Sequence, residues 1–254
     1  MSPVTVTLLE KAATDNGFDL ALPRQDDWLV FASSHVPLHI WLSKFADAVF
    51  MVGLSQLQVA RALGQYGIPM PWPIPPGAVS GRTAPDLESL CRLVRRAFQL
   101  SKTLPDELLR TFEKQTAQLS QTTEAERLVV QRVGQDLFRE GLLEYWEGRC
   151  AITGLAVPDL LRASHIKPWA DCESDAERLD VFNGLLLAVH LDAAFDRGYM
   201  TVTDDGEVTL SGDLDSNAKQ LLGFNGPMRI RGLTDGHRAY LHWHRERVFR
   251  LSPT

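Results

Sequence analysis

At 254 residues the chain is long enough for one large domain or two modest ones, each burying its own core. With 44% hydrophobic and 23% charged residues it reads as globular, and no apolar run approaches the ~20 residues that span a bilayer. Met1–Glu10 carries neither a basic stretch nor a small-residue cleavage pattern, so a cytoplasmic protein with no membrane partner is expected. The net charge of −6 does not ask for nucleic acid, and the three cysteines (Cys91, Cys150, Cys172), with no C-x-x-C pair, argue against disulfides and a structural zinc.

Taken in order, Val4–Asn16 reads as a helix stopped by Gly17. Trp28–Ala32, Leu38–Leu42 and Ala48–Leu54 suit strands, and Ser55 stands where it would cap a helix over Gln56–Tyr66. Residues 67–82 hold five prolines and exclude a helix or a central strand. They read as a strap or linker, or as a loop that offers Trp72 to a partner or a base. Helices are expected over Pro85–Lys102 after Thr83, over Pro105–Leu119, and over Glu124–Glu147, the last with the capping box Thr123-x-x-Glu126.

Beyond Gly148 the pattern turns to short elements. Cys150–Gly154 looks like a strand entering a tight turn, Leu160–Ala163 like its return, and His165 falls at the strand end before Lys167-Pro168-Trp169 forces the chain out of the sheet. An acidic loop, Asp171–Asp180, leads to Asn183-Gly184, and Leu185–Phe195 reads as a short strand or turn running into a helix. This β-β-α order brings His165, Asn183 and Asp192 together. Asp204-Asp205-Gly206 is a hairpin turn between Tyr199–Val202 and Glu207–Leu210. Leu233–Arg250 is expected as a strand with one packed and one basic face. Arginines 229, 231, 238, 245, 247 and 250 mark this C-terminal stretch, and Arg92, Arg95, Arg96 and Lys102 form a second basic cluster.

Four motifs stand in order: Cys150-Ala151-Ile152-Thr153-Gly154, Ser164-His165-Ile166-Lys167-Pro168-Trp169, Asn183-Gly184, and Leu191-Asp192-Ala193-Ala194-Phe195-Asp196-Arg197-Gly198. Together they resemble the HNH endonuclease family, in the branch that reads C-x-I-T-G, A-S-H-I-K-P-W, N-G-L-L-L and D-x-x-F-D-R-G. The resemblance covers roughly residues 123–212 and includes the lead-in Gln131–Arg139. It implies a C-terminal ββα-metal nuclease domain with a basic extension (123–254), and the pattern ahead of it gives a small N-terminal α+β module (1–82) and a helical connector (83–122), so an α+β fold is expected.

The chemistry implied is metal-dependent hydrolysis of phosphodiesters in double-stranded DNA. It requires a base for water, a cation for the phosphate charge and a group that fixes the base. His165 suits the base, and the resemblance gives Asn183 the organising role. Mg²⁺, Mn²⁺ or another divalent cation would be held near Asp192, Ser164 or His190. Two of these depart from the family pattern, since many members carry Asp where Ser164 stands and His where Asp192 stands. Asp192 is preferred as ligand because its motif aligns as a unit; His190 after a local register shift is the alternative. Lys167, Arg197, Arg229, Arg231, Arg245 and Arg247 are the candidates for DNA contact. A restriction enzyme is expected, with the N-terminal module reading DNA or a modified base. The rivals are a catalytically degenerate DNA-binding or regulatory protein on the same fold, and a nuclease toxin. One site per chain cuts one strand, so a homodimer or two encounters would be needed to sever a duplex.

Overall fold

Apolar runs in the first hundred residues build an antiparallel sheet. Its strands are β1 (Leu20–Gln25), β2 (Trp28–Ala32), β3 (Ile40–Phe45), β4 (Val49–Leu54), β5 (Ile68–Pro69) and β6 (Ser80–Ala84), hydrogen-bonded in the order β1-β2-β3-β4-β6-β5. The computed structural model describes residues 1–45, 49–119, 123–230 and 232–251 and divides into two compact units, Met1–Leu104 and Pro105–Thr254. The three expected strands are β2, β3 and β4, in register Phe31↔Ile40 and Ile40↔Leu54. Ala48, where the third was expected to begin, lies outside the described residues.

Three strands, β1, β5 and β6, went unexpected, and prolines lie in or shortly before each of them. Pro23 sits in β1, an edge strand, where a missing N–H leaves no ladder bond unmade. Residues 67–82, expected to hold no central strand, supply the edge strand β5 and the start of the interior strand β6 instead. Their prolines end at Pro76, and β6 then pairs with β4 on one side and β5 on the other. Between β5 and β6 the proline segment crosses the sheet, Pro75 packing on Gly53 beside Trp41. Trp72 lies against Phe45, ring centroids 4.9 Å apart, and stays 38% exposed.

Helices α1 (Pro3–Thr14), α2 (Leu57–Ala62) and α3 (Leu87–Thr103) pack on this sheet, excluding water from Leu9, Ile40, Leu42, Leu54, Leu90 and Leu93. One expected cap is corrected, and another cap is found. The Ser55 hydroxyl accepts from the His39 N–H rather than capping α2, and α3 is capped by Asp86, which accepts from the Ser89 N–H, because Thr83 belongs to β6. The basic cluster of α3 is largely committed: Arg92 to Glu88, Arg95 to Asn16, and Arg96, buried, over the Tyr66 ring.

The second unit is built on α4 (Pro105–Thr116) and α5 (Glu124–Tyr145), the latter opened by the expected capping box. The expected connector is thus divided, β6 and α3 lying in the first unit and α4 in the second. The buried face of α5, with Leu137, Phe138 and Leu142, packs under the hairpin of β7 (Leu161–His165) and β8 (Gly184–Ala188). Between these strands lies α6 (Asp175–Arg178). After them come α7 (Val189–Asp196), β9 (Met200–Val202), β10 (Val208–Leu210), α8 (Ser216–Leu221) and α9 (Asp235–Arg247). The fold is α+β, as expected.

Two element types differ from expectation. Cys150–Gly154 is a turn rather than a strand: the Cys150 sulfur accepts from the Thr153 and Ala188 N–H groups, which pins the turn to the end of β8. Asp235–Arg247, expected within a strand, is a helix. Its buried residues are His237, Leu241 and His244, a helical spacing that the alternation of His242-Trp243-His244 disguises. No helix among the described residues is long and apolar enough to cross a membrane.

Candidate active site

The β7–β8 hairpin and α7 set out a ββα unit whose central residue is His165, paired in register with Gly184. Asn183-Gly184 has a steric cause here. A Cβ on Gly184 would sit 2.6 Å from Phe138 and 2.7 Å from Leu142, so a side chain would push the hairpin off α5.

His165 is held from three sides. Its ring stacks on Phe138 at 3.7 Å and 14°, and Trp169 meets it edge-on at 5.6 Å. Its Nε2 lies 2.9 Å from the Arg178 carbonyl. A carbonyl oxygen only accepts, so Nε2 carries the hydrogen and Nδ1 keeps its lone pair. Burial pulls the imidazole down to about 4, against the opposing pull of the Arg178 carbonyl, and leaves it neutral at physiological pH.

Asn183 has no exposed surface, and each end of its amide is used. Its Oδ1 accepts from the Lys167 N–H at 2.8 Å, while Nδ2 faces the carbonyls of Lys167 and Glu177 at 3.2 Å and the Cys172 sulfur at 3.4 Å. Its own carbonyl accepts from the Ile166 N–H. One amide thereby ties the exit of β7 to the acidic loop. Arg178 completes the closure, donating to the carbonyls of Trp169 and Cys172. The carbonyl that orients His165 is therefore part of a braced loop.

On α7, Asp192 and Asp196 are one helical turn apart and share a face. The buried Ser164 hydroxyl lies 3.1 Å from Asp196 Oδ1. Burial pushes the Asp192 carboxyl up, opposed by the Ser164 hydroxyl and the Arg162 charge. Asp196 is raised to about 6, first by lost solvation of its carboxylate and then by the neighbouring Asp192 charge. A cavity beside these groups is lined by Ser164, His165, Trp169, Asp196, His244 and Val248, among others.

The structure brings His165, Asn183, Ser164 and Asp192 together, and it adds Asp196 and Arg162, which sequence reasoning did not place at the site. The signal for Asp196 was its i, i+4 spacing from Asp192. His190 is exposed and two residues from Asp192, on nearly the opposite side of α7, and no contact joins it to the cluster among the described residues. The Lys167 ammonium is held by Glu177 at 2.8 Å. Arg245 is committed to the Val202 carbonyl and Asp204, and Arg229 to the Asp205 carbonyl. Arg197 and Arg247 are exposed, and Arg231 lies outside the described residues.

The hairpin and α7 thus present a histidine whose Nδ1 is free, next in the chain to a serine that reaches Asp196. Residues 150–203 match the sequence model of the family described as HNH endonuclease, and the chain carries an HNH endonuclease domain over this segment. That family points to a nuclease acting on DNA. No curated protein matches the chain.

The donors present suit a hard divalent cation. Two carboxylates and a hydroxyl are oxygen ligands, and Mg²⁺ characteristically takes one or two carboxylates and completes its shell with water and phosphate. Mutual repulsion between Asp192 and Asp196 is what such a cation would relieve. Among the described residues no group of three or more His, Cys, Asp or Glu side chains stands ready to hold a metal by itself.

Proposed function

We propose that the chain is a divalent-metal-dependent DNA endonuclease of a restriction type, with His165 as general base and Asn183 as the residue that holds it in position. The observation that carries this reading is the single free nitrogen of His165, Nδ1, on a ring locked by Phe138 and the Arg178 carbonyl. In the proposed reaction, Nδ1 takes a proton from water as the water oxygen attacks phosphorus, the phosphorus bond to the leaving 3′-oxygen breaks, and that oxygen takes up a proton from solvent. Asp192, Asp196 and Ser164 Oγ would hold the cation, which supplies positive charge to the phosphate and the leaving oxygen. Arg162, whose charge already acts on Asp192, faces the same phosphate from β7. The loop braced by Asn183 keeps the imidazole from turning. The Met1–Leu104 unit is assigned the reading of sequence or base modification.

Cleavage of supercoiled plasmid with Mg²⁺ or Mn²⁺ tests this reading. His165→Ala should lose ~10²–10⁴ in rate, the range for a general base, and a chelator should stop the wild type. The small donor set favours one rival, a DNA-binding protein on a degenerate site. Wild-type protein that shifts DNA in a gel and never cuts it would establish the rival. A panel of unmodified, 5-methylcytosine, hydroxymethylated and 6-methyladenine DNA tests the restriction role.

A further inference from the structure

The family match ends at residue 203, but the wall of the His165 cavity extends further: His244 comes from α9 and Val248 from the turn after it. This wall is tightly attached. His244 Nε2–H donates to the Phe195 carbonyl at 3.1 Å, in the peptide just before Asp196. Its Nδ1 lies 3.0 Å from the Thr201 hydroxyl, and its ring stacks on Phe195 at 3.9 Å. The chain then crosses the turn after α7 so closely that a Cβ on Gly198, which sits at φ +72°, would collide with the Val248 carbonyl. At this crossing the Arg250 N–H donates to the Gly198 carbonyl at 3.0 Å. Arg250 itself is fixed, Nε on the Arg197 carbonyl, Nη1 on the Tyr199 hydroxyl, and its guanidinium 4.2 Å from the Tyr199 ring centroid.

These contacts sort the C-terminal arginines. Arg238 is paired with Asp235 and Arg245 with Asp204. Glu246, the acid nearest the cavity end of α9, is engaged by His242 at 3.2 Å. Arg247 is exposed, has no partner among the described residues, and lies three positions from His244, at the edge of the stripe that faces the cavity. Arg250 is exposed despite its contacts, and exposed Arg197 follows Asp196 directly. Three exposed arginines thus stand next to cavity-lining residues in the chain, Arg197 after Asp196, Arg247 just before Val248 and Arg250 two positions beyond it, on a chain whose net charge is −6.

We infer that Arg197, Arg247 and Arg250 form a phosphate-binding rim at the mouth of the His165 cavity, which carries the backbone of the strand to be cut. This surface rests on the nuclease reading above and adds to it that α9, beyond the family match, belongs to the substrate site. Arginine suits the role, since its fork binds phosphate in a bidentate geometry that a lone ammonium lacks.

The test measures binding of a labelled duplex by full-length protein across a salt series with EDTA, in a His165→Ala background so that no strand is cut. The slope of log K against log salt should fall by about two when Arg247→Ala and Arg250→Ala are combined, about one per lost phosphate contact. Arg238→Ala, at the far end of α9, should leave it unchanged. Arg250→Lys, which keeps the charge, should restore most of the slope lost in Arg250→Ala, and that recovery separates a charge effect from misfolding at the Gly198 crossing. In metal-containing assays on the His165 protein, the double variant should lose about tenfold or more in kcat/KM, chiefly through KM. An unchanged slope in the double variant, or an equal fall with Arg238→Ala, overturns the rim while leaving the nuclease reading intact. A parent protein that neither binds nor cuts DNA removes both.

Discussion

His165 and Asp196 are shifted in opposite directions, His165 by burial and Asp196, at an exposed edge, by partial loss of solvation together with the Asp192 charge, and the two shifts give the site a distinctive pH response. His165, lowered to about 4, is already a free base above about pH 5 and sets no limit near its usual pKa. Asp196, raised to about 6, must lose its proton before it can take a cation. With metal far below saturation the acid limb of the pH–rate profile should therefore lie near 6, and rising metal should drive it downward until His165 limits it. Profiles measured at two metal concentrations check this; a limb fixed near 6.5 at both would show an ordinary, solvated histidine. In the proposed reaction Asn183 acts through geometry instead. Asn183→Asp replaces the amide donor that faces two carbonyls by a carboxylate, and a buried group left unpaired costs ~1–3 kcal/mol, more when charged. A fall in thermal stability together with loss of cleavage is expected. Activity lost at unchanged stability would mean that Asn183 touches the substrate instead of the loop.

Elements meet at Asp180. Its Oδ1 accepts from the Phe182 N–H and its Oδ2 from the Tyr240 hydroxyl at 3.0 Å, which joins α9 to the turn that carries Asn183. Burial raises its carboxyl to about 6 and also raises the Tyr240 phenol. A folded-state pKa above the ordinary 3.8 means that the fold favours the protonated form. The stability it contributes is full below pH 4 and is lost as pH rises through 6. Asp180→Asn keeps an acceptor and removes the charge, so it should be more stable than the parent at pH 8, by on the order of 2 kcal/mol, and no more stable at pH 4. Melting curves at the two pH values decide it. This contact also shows what sequence leaves out. Helix α5 was readable because its capping box and apolar period are local, and β2, β3 and β4 because their apolar runs are short and bounded. The helix α9 was hidden because its buried face is histidine-rich, His237 and His244 being apolar in effect only through packing on Phe182 and Phe195. The placement of His165 at the end of β7 and of Asn183 just before β8 was legible from motif spacing. Asp196 and the committed state of Lys167 were not, since both depend on partners, Ser164 and Glu177, whose distance only folding sets.

At the scale of the whole molecule, the proposed reaction uses His165 as its single base, and one base acting on one phosphate severs one strand. The complementary strand runs antiparallel and presents its phosphates with the opposite polarity, so the same site cannot reach both in one binding event. A second chain related by a twofold axis, or a second encounter, must supply the other cut. Supercoiled plasmid should therefore pass first to open circles, with linear product appearing after a lag. If the second cut comes from a partner chain, the lag should shorten steeply with enzyme concentration and linear product should form without free open circles above the dimerisation range. Time courses at two enzyme concentrations, read alongside sedimentation of the same samples, separate the routes. Concerted linearisation by a protein that sediments as a monomer would refute the one-site, one-strand reading and require a second cutting centre within the chain.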